Sequence, residues 1–404
     1  MKFRRLPVLQ AFACGFLSLG TLSAAGSPKS GRAFADDFTV HSIGRWGVLE
    51  SRTIILEPLA NRVLMQPDYE AAMLGTVWHF EADSVGAVAD QLRDLGLRPE
   101  ILAGLLNDSA TEVDPEQNRV TLQPDTALVA ALSPMQRSRL YSKILFQDPV
   151  NSFYAKPFIH PREGISGLML RRSGLSRAQL SKIEAFTYRV DQQNYFSDLP
   201  LLFESARDDR ERFQLIRFLS REKSYAFRLS VSNPSDWERL EDYWAAGGLN
   251  PDPLPLLKAA TQSPQIAFID GLHLLPPLPR KLLHTYPSIY GNGVGASMPD
   301  CYWTAFNFFD VNPSDRIFDR VDIYLESRYE TIAEPDEFGD LMLISDPETG
   351  KPVHACNYIA GDLFFTKNGL SMARPWVVER RDEILSMYAK SADCVQYFRL
   401  RGGT

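Results

Sequence analysis

Cysteine and histidine are scarce in this chain, four and six in 404 residues. No Cys-x-x-Cys or His-x-x-x-His spacing occurs, so a zinc site has no support and no metal or cofactor is expected. Basic runs are missing too. With a formal net charge of −7, nothing offsets repulsion from phosphates, and nucleic acid is not an expected partner. Past the first two dozen residues no apolar run is long enough to cross a bilayer, so no integral membrane segment is expected once a leader is removed. Low-complexity tracts and internal repeats are absent. What remains is ordinary globular composition, 45% hydrophobic and 23% charged, in a chain long enough for two or three cores.

The N-terminus has the order of an export signal. Lys2, Arg4 and Arg5 precede an apolar stretch from Val8 to Leu22, and Ser23-Ala24-Ala25 supplies the small residues a signal peptidase requires. Gly15, Ser18 and Gly20 interrupt the stretch, which argues against a permanent anchor. The expectation is a signal peptide over residues 1–25, a polar linker over 26–37, and an exported protein, periplasmic or extracellular. Removing Cys14 leaves Cys301, Cys356 and Cys394, an odd number. A bridge between Cys356 and Cys394 would leave Cys301 as the free thiol.

Three regions follow. Residues 38–150 read as mixed α and β: strands at Thr53–Leu56, Thr76–Phe80 and Asn118–Leu122, a helix over Asp83–Leu95, and another opened by Ser133-Pro134. Residues 151–282 read as mostly helical, with Ser176, Ser205 and Ser235 near helix starts and a strand over Ser224–Val231. Residues 283–404 carry the chemistry. Pro375 is expected to open a C-terminal helix containing Trp376, Met387 and Tyr388. Gly291-Asn292-Gly293-Val294-Gly295 lacks the Lys-Ser/Thr of a phosphate loop and reads as a flexible loop. The fold class expected is α+β.

Within the last region, Pro299-Asp300-Cys301-Tyr302-Trp303 starts a helix that is apolar almost all round and stops before Asn312-Pro313. A cysteine in the first turn has backbone N–H groups and the helix dipole to favour its thiolate. A buried structural cysteine is the competing reading. Downstream, Asp340–Ser345 and Val353–Ala360 read as strands joined by the turn Asp346–Gly350, and Gly361-Asp362 turns the chain back into Leu363–Thr366. His354, Cys356 and Tyr358 share one strand face.

A Cys–His pair needs a third polar group to hold the imidazole. If the hairpin loop is Gly361-Asp362 alone, Lys367 falls on the His354 face, beside an imidazolium it would repel. If the loop is Ala360–Asp362, Thr366 and Asn368 take that face, with Asn368 directly opposite His354. The second register is expected, because an asparagine can accept an imidazole N–H and a lysine cannot.

The series Tyr290-Gly291, Asp300-Cys301, Gly339-Asp340-Leu341 and His354 to Ile359 resembles the NlpC/P60 family of papain-like cysteine peptidases, over roughly Tyr286–Phe365. The resemblance implies a papain-like domain at 283–404, with a buried helix against an antiparallel sheet, Cys301 as nucleophile and His354 as base. Thr366 falls at the family's third polar position, and Asn368 is the other candidate for it. Tyr290 lies near the tyrosine that lines the family's cleft. Tyr302-Trp303 replaces the family's Ser-Gly and would reshape that cleft, making both residues substrate-contact candidates. The implied activity is hydrolysis of peptide-like amides, with peptidoglycan stem peptides as the substrate class. The alternative is a catalytically inactive papain-like protein that binds or has a structural role in the envelope.

Overall fold

A ten-residue strand near the start of the chain finds its partner far away in sequence. In the computed structural model, β1 (Thr39–Gly44) and β2 (Gly47–Leu56) form a hairpin, and β2 then pairs along its length with β9 (Glu222–Ser230), Val48 opposite Ser230 through Leu56 opposite Glu222. The structure describes residues 37–402 apart from 60–71, 74, 107–110, 146–157, 161–169, 191–192, 232–236, 264, 288–298, 316–320, 370–373 and 390. The expected leader at 1–25 and most of the linker at 26–37 therefore lie outside the described residues, as do Ser235, Tyr290 and the loop Gly291–Gly295.

Between β2 and β9 runs an excursion with its own core. It contains β3 (Trp78–Glu81), α1 (Val85–Asp94), β4 (Thr111–Asp114), β5 (Arg119–Leu122), α2 (Pro134–Leu145), β6 (Phe158–His160), α3 (Arg177–Phe186), β7 (Tyr188–Val190), β8 (Gln193–Phe196) and α4 (Asp209–Leu219). The strands make two small antiparallel sheets, β3-β5-β4 and β6-β8-β7. Local chemistry fixes the helices. Ser84 caps α1 by accepting the Ala87 N–H, and Val88 and Leu92 turn inward. Ser176 and Gln179 close a reciprocal capping box on α3. Ser205 ends a helix rather than starting one; the next start is capped by Asp208, whose carboxylate accepts the Glu211 N–H. Arg137, fully buried, is neutralised by Asp198 at 2.7 Å inside this core.

After β9 come β10 (Phe268–Asp270), α5 (Cys301–Phe306), α6 (Val321–Arg328) and a six-stranded antiparallel sheet. Its strands are β11 (Tyr329–Ile332), β12 (Leu341–Ser345), β13 (Pro352–Ala360), β14 (Leu363–Lys367), β15 (Trp376–Arg380) and β16 (Val395–Leu400), in the order β11-β16-β12-β13-β14-β15. The helix α7 (Arg381–Tyr388) follows β15. The helix expected from Pro375 thus begins only at Arg381. Trp376-Val377-Val378, bulky and β-branched, pairs with β14 instead.

The architecture is α+β. Contacts run across both sequence-based cuts, at 150 and at 282: β2 pairs with β9, and Ser224 Oγ on β9 bonds the Val378 N–H and C=O of β15 at 2.9 and 3.2 Å. One core joins Leu49, Tyr225, Phe227 and Leu229 to Trp303, Ile359, Phe365, Trp376 and Val378. Residues Phe38–Thr404 form one compact unit. The six-stranded sheet is covered on both faces. Ala305 and Phe306 of α5 pack on Leu341, Leu343 and Ala355, while Ile384 of α7 packs on Met342, Ile344 and Cys356.

Candidate active site

Asp300 sets the start of α5. Its Oδ1 accepts the Trp303 N–H at 2.8 Å and its carbonyl accepts the Thr304 hydroxyl at 2.7 Å, making Cys301 the first helical residue. The helix is shorter than its apolar pattern suggested. Asn307 folds its amide back on the Trp303 carbonyl and accepts the Ser314 N–H, which ends the helix five residues before Asn312. Trp303 is fully buried and donates to Asp315, so it is a core residue rather than a cleft wall; Tyr302 is half-buried.

The hairpin between β13 and β14 combines both registers weighed from the sequence. Ala360 pairs with Leu363, so the turn is Gly361-Asp362 with Gly361 at φ +65°. A bulge between Tyr358 and Ala360 then shifts the pairing by one, giving Tyr358 opposite Phe364 and Asn357 opposite Phe365. Thr366 and Asn368 consequently fall on the His354 face and Lys367 on the other. Thr366 Oγ1 lies 2.9 Å from His354 Nε2. Asn368 does not reach the imidazole, because its amide donates to Glu379 Oε1 at 2.8 Å and accepts the Tyr388 hydroxyl at 3.2 Å. Tyr388, on α7, stacks on the His354 ring at 3.9 Å and 5°. His354 is fully buried, and its Nδ1 has no hydrogen-bond partner.

The ladder between β13 and β14 stops at Asn357–Phe365. Tyr358 N–H bonds the Asp340 carbonyl beyond β12, so by alternation the Ala355 N–H faces β14, past the end of that ladder. There it favours negative charge on the Cys301 sulfur. Cys301 opens α5, which packs on the Leu341, Leu343 and Ala355 face of the sheet, whereas His354 lies on the opposite face against Tyr388 of α7. No hydrogen bond joins Cys301 to His354.

Burial dominates the electrostatics. The Cys301 thiol, 5% exposed, is pushed up to about 12 by desolvation and by Asp300, with the Ala355 N–H and Lys367 pulling the other way. Burial alone drops His354 to about 3. At neutral pH the pair is a thiol and a neutral imidazole, not the ready-made thiolate expected from the helix start. Lys367, fully buried, falls to about 7 by desolvation. Glu379 rises to about 8 by burial and by the neighbouring Glu222 and Glu383. Cys301, Cys356 and Cys394 are all free thiols, so no bridge joins the last two; the Cys394 sulfur contacts the Ser391 hydroxyl at 3.2 Å.

Of the other members of this cluster, Lys367 is set aside from the sequence as repelling an imidazolium, Tyr388 falls in a C-terminal helix without a role, and Glu379 is not considered. Each stands in or beside a strongly apolar run, Leu363-Phe364-Phe365, Trp376-Val377-Val378 and Ile384-Leu385, where a polar side chain on the buried face is a signal. Among the described residues no group of three or more His, Cys, Asp or Glu is placed to hold a metal ion, and no helix is long and apolar enough to cross a membrane. No family model, curated protein or solved structure matches this chain.

Proposed function

We propose that the protein is a cysteine-dependent amide hydrolase of papain-like, NlpC/P60-like fold, with Cys301 as nucleophile and His354 as base. The observation that carries this reading is the imidazole itself. Thr366 holds Nε2, while Nδ1 is buried without a partner, and the adjacent Ala355 N–H favours negative charge on the Cys301 sulfur. Buried ionisable groups converging in this way are a feature of active sites.

In the reaction, His354 Nδ1 takes the thiol proton as sulfur attacks the amide carbonyl. The imidazolium then protonates the leaving amine, and water, deprotonated by the same nitrogen, hydrolyses the thioester. With a neutral thiol and a neutral imidazole at rest, the proton moves only as sulfur attacks. At rest α5 and the His354 ring lie on opposite faces of β13, so the reaction requires sulfur and Nδ1 to be brought together at the parting of β13 and β14 when substrate binds. Substrates are peptide-like, with peptidoglycan stem peptides first to test. The leader-like sequence of residues 1–25 supports export to the periplasm or beyond.

Mass spectrometry of stem-peptide muropeptides incubated with wild type and Cys301→Ala tests the proposal. New cleavage products with wild type alone are the expected result; identical spectra overturn hydrolysis of this substrate class. A second reading, an inactive papain-like binding or structural envelope protein, is favoured by the burial of the thiol and the missing Cys301–His354 bond. It predicts wild-type alkylation by iodoacetamide no faster than that of an unactivated thiol, with His354→Ala making no difference.

A further inference from the structure

The His354 imidazole and the Tyr388 phenol lie parallel, ring centres 3.9 Å apart at 5°. Aromatic rings more often meet at about 4.5–7 Å, offset or edge to face. Two pairs packed at the same sheet follow that habit, Phe306–Tyr329 at 5.6 Å and 90° and Tyr358–Phe364 at 5.4 Å and 62°. A close, flat stack on one ring of a candidate site is a different arrangement.

Both rings are held. Thr366 Oγ1 of β14 stands 2.9 Å from His354 Nε2 and fixes one edge of the imidazole. Tyr388 ends α7, and its hydroxyl donates to Asn368 Oδ1 at 3.2 Å; the Asn368 amide in turn donates to Glu379 Oε1 of β15 at 2.8 Å. The phenol is thus tethered at its far end to the sheet that carries the imidazole. Two other charged groups bear on it, Arg374 and Glu222, and they are paired with each other at 3.1 Å.

One hydrogen bond leaves an imidazole free to swing about the bonded nitrogen. A flat wall at 3.9 Å takes that freedom away. The His354 Nδ1 is buried without a partner, so an N–H there would have no acceptor, and the ring proton belongs on Nε2, where Thr366 accepts it. A phenol face also favours an imidazolium lying over it. Among the described residues no carboxylate bonds His354 to take that part.

We infer that Tyr388 is a positioning residue for the base: its ring face fixes the plane of the His354 imidazole, so that Thr366 keeps Nε2 and Nδ1 stays bare to take a proton. This deepens the proposed hydrolase reading and rests on His354 being its base. The proton balance of the reaction is unchanged, since Tyr388 neither gives nor takes a proton.

Nuclear magnetic resonance of the full chain at pH 7, with nitrogen-15 in histidine, reads the ring directly; the His354 signals are those missing from His354→Gln. Wild type and Tyr388→Phe are expected to show one tautomer, with Nε2 protonated and the ring protons shifted upfield by the aromatic face. Tyr388→Leu is expected to show averaged nitrogens, and on muropeptides a loss of about tenfold or more in kcat with KM little changed. A single unaltered tautomer in Tyr388→Leu overturns the inference. Should that variant fail to fold, Thr366→Val decides. With Nε2 released, the ring protons are expected to keep their upfield position; losing it would mean that Thr366 alone sets the plane, and also overturns the inference. A ring locked in wild type and freed in Tyr388→Leu, with no muropeptide cleaved by wild type, would sink the hydrolase reading and leave the positioning of His354 standing.

Discussion

A neutral imidazole sealed under a phenol ring makes the native state sensitive to acid. His354 titrates near 3 in the folded chain and near 6.5 unfolded. Between those values the unfolded state binds a proton that the native state refuses, so stability falls as pH drops through that window and is fully present above 6.5. The size is on the order of 5 kcal/mol across the whole window. In His354→Gln that part of the slope should vanish, as seen in urea midpoints measured from pH 7 to pH 3.5; a slope equal to wild type would contradict the assignment. Thr366→Val tests the other ring nitrogen. Leaving Nε2 buried without its hydroxyl should cost about 1–3 kcal/mol in the same unfolding assay. Cys301 belongs at this scale too. Its position at a helix start was readable because Pro299 and Asp300 are local signals, whereas its burial comes from β13 and β14, which no local pattern reports.

Two elements aim the site, α5 and the β13–β14 hairpin. Asp300→Ala removes the cap on α5 and should lower stability by about 1 kcal/mol, with Asp300→Ser recovering most of it, as read from thermal melts. Gly339 leads into β12 at φ +91°, and a Cβ there would stand 2.2 Å from the Phe309 ring just beyond α5. Gly339→Ala should therefore cost more than about 1 kcal/mol and disturb the helix that carries Cys301. A variant as stable as wild type would mean Phe309 gives way freely. The strands here were legible because alternation and turn residues are short-range. The register was harder: the turn is two residues long, yet the bulge at Ile359 produces the pairing a three-residue loop would have given. Bulges respond to packing on both faces of a sheet, and here α5 and α7 supply it. Asn368, which that register sets opposite His354, gives its amide to Glu379 instead.

Across the whole molecule, the α+β class and most individual strands follow from composition and period, but the grouping of regions does not. Cuts at 150 and 282 assume that neighbours in sequence share a core. Instead β2 crosses the excursion to pair with β9, and the same core reaches Trp376. A chain cut to residues 283–404 would expose Ile359, Phe365, Trp376 and Val378, and is expected to aggregate or remain unfolded by circular dichroism.

Leu56 and Glu222 are ladder partners, which pins both ends of the excursion within about 5.5 Å of each other. If that excursion melted by itself, it would become a giant closed ring hung from an intact sheet. Confining such a ring costs roughly 4–5 kcal/mol of chain entropy, a strain borne by the β2–β9 ladder. Warming the remote half therefore tugs on the strand next to β15, and heat reaches the cysteine's sheet through its tether.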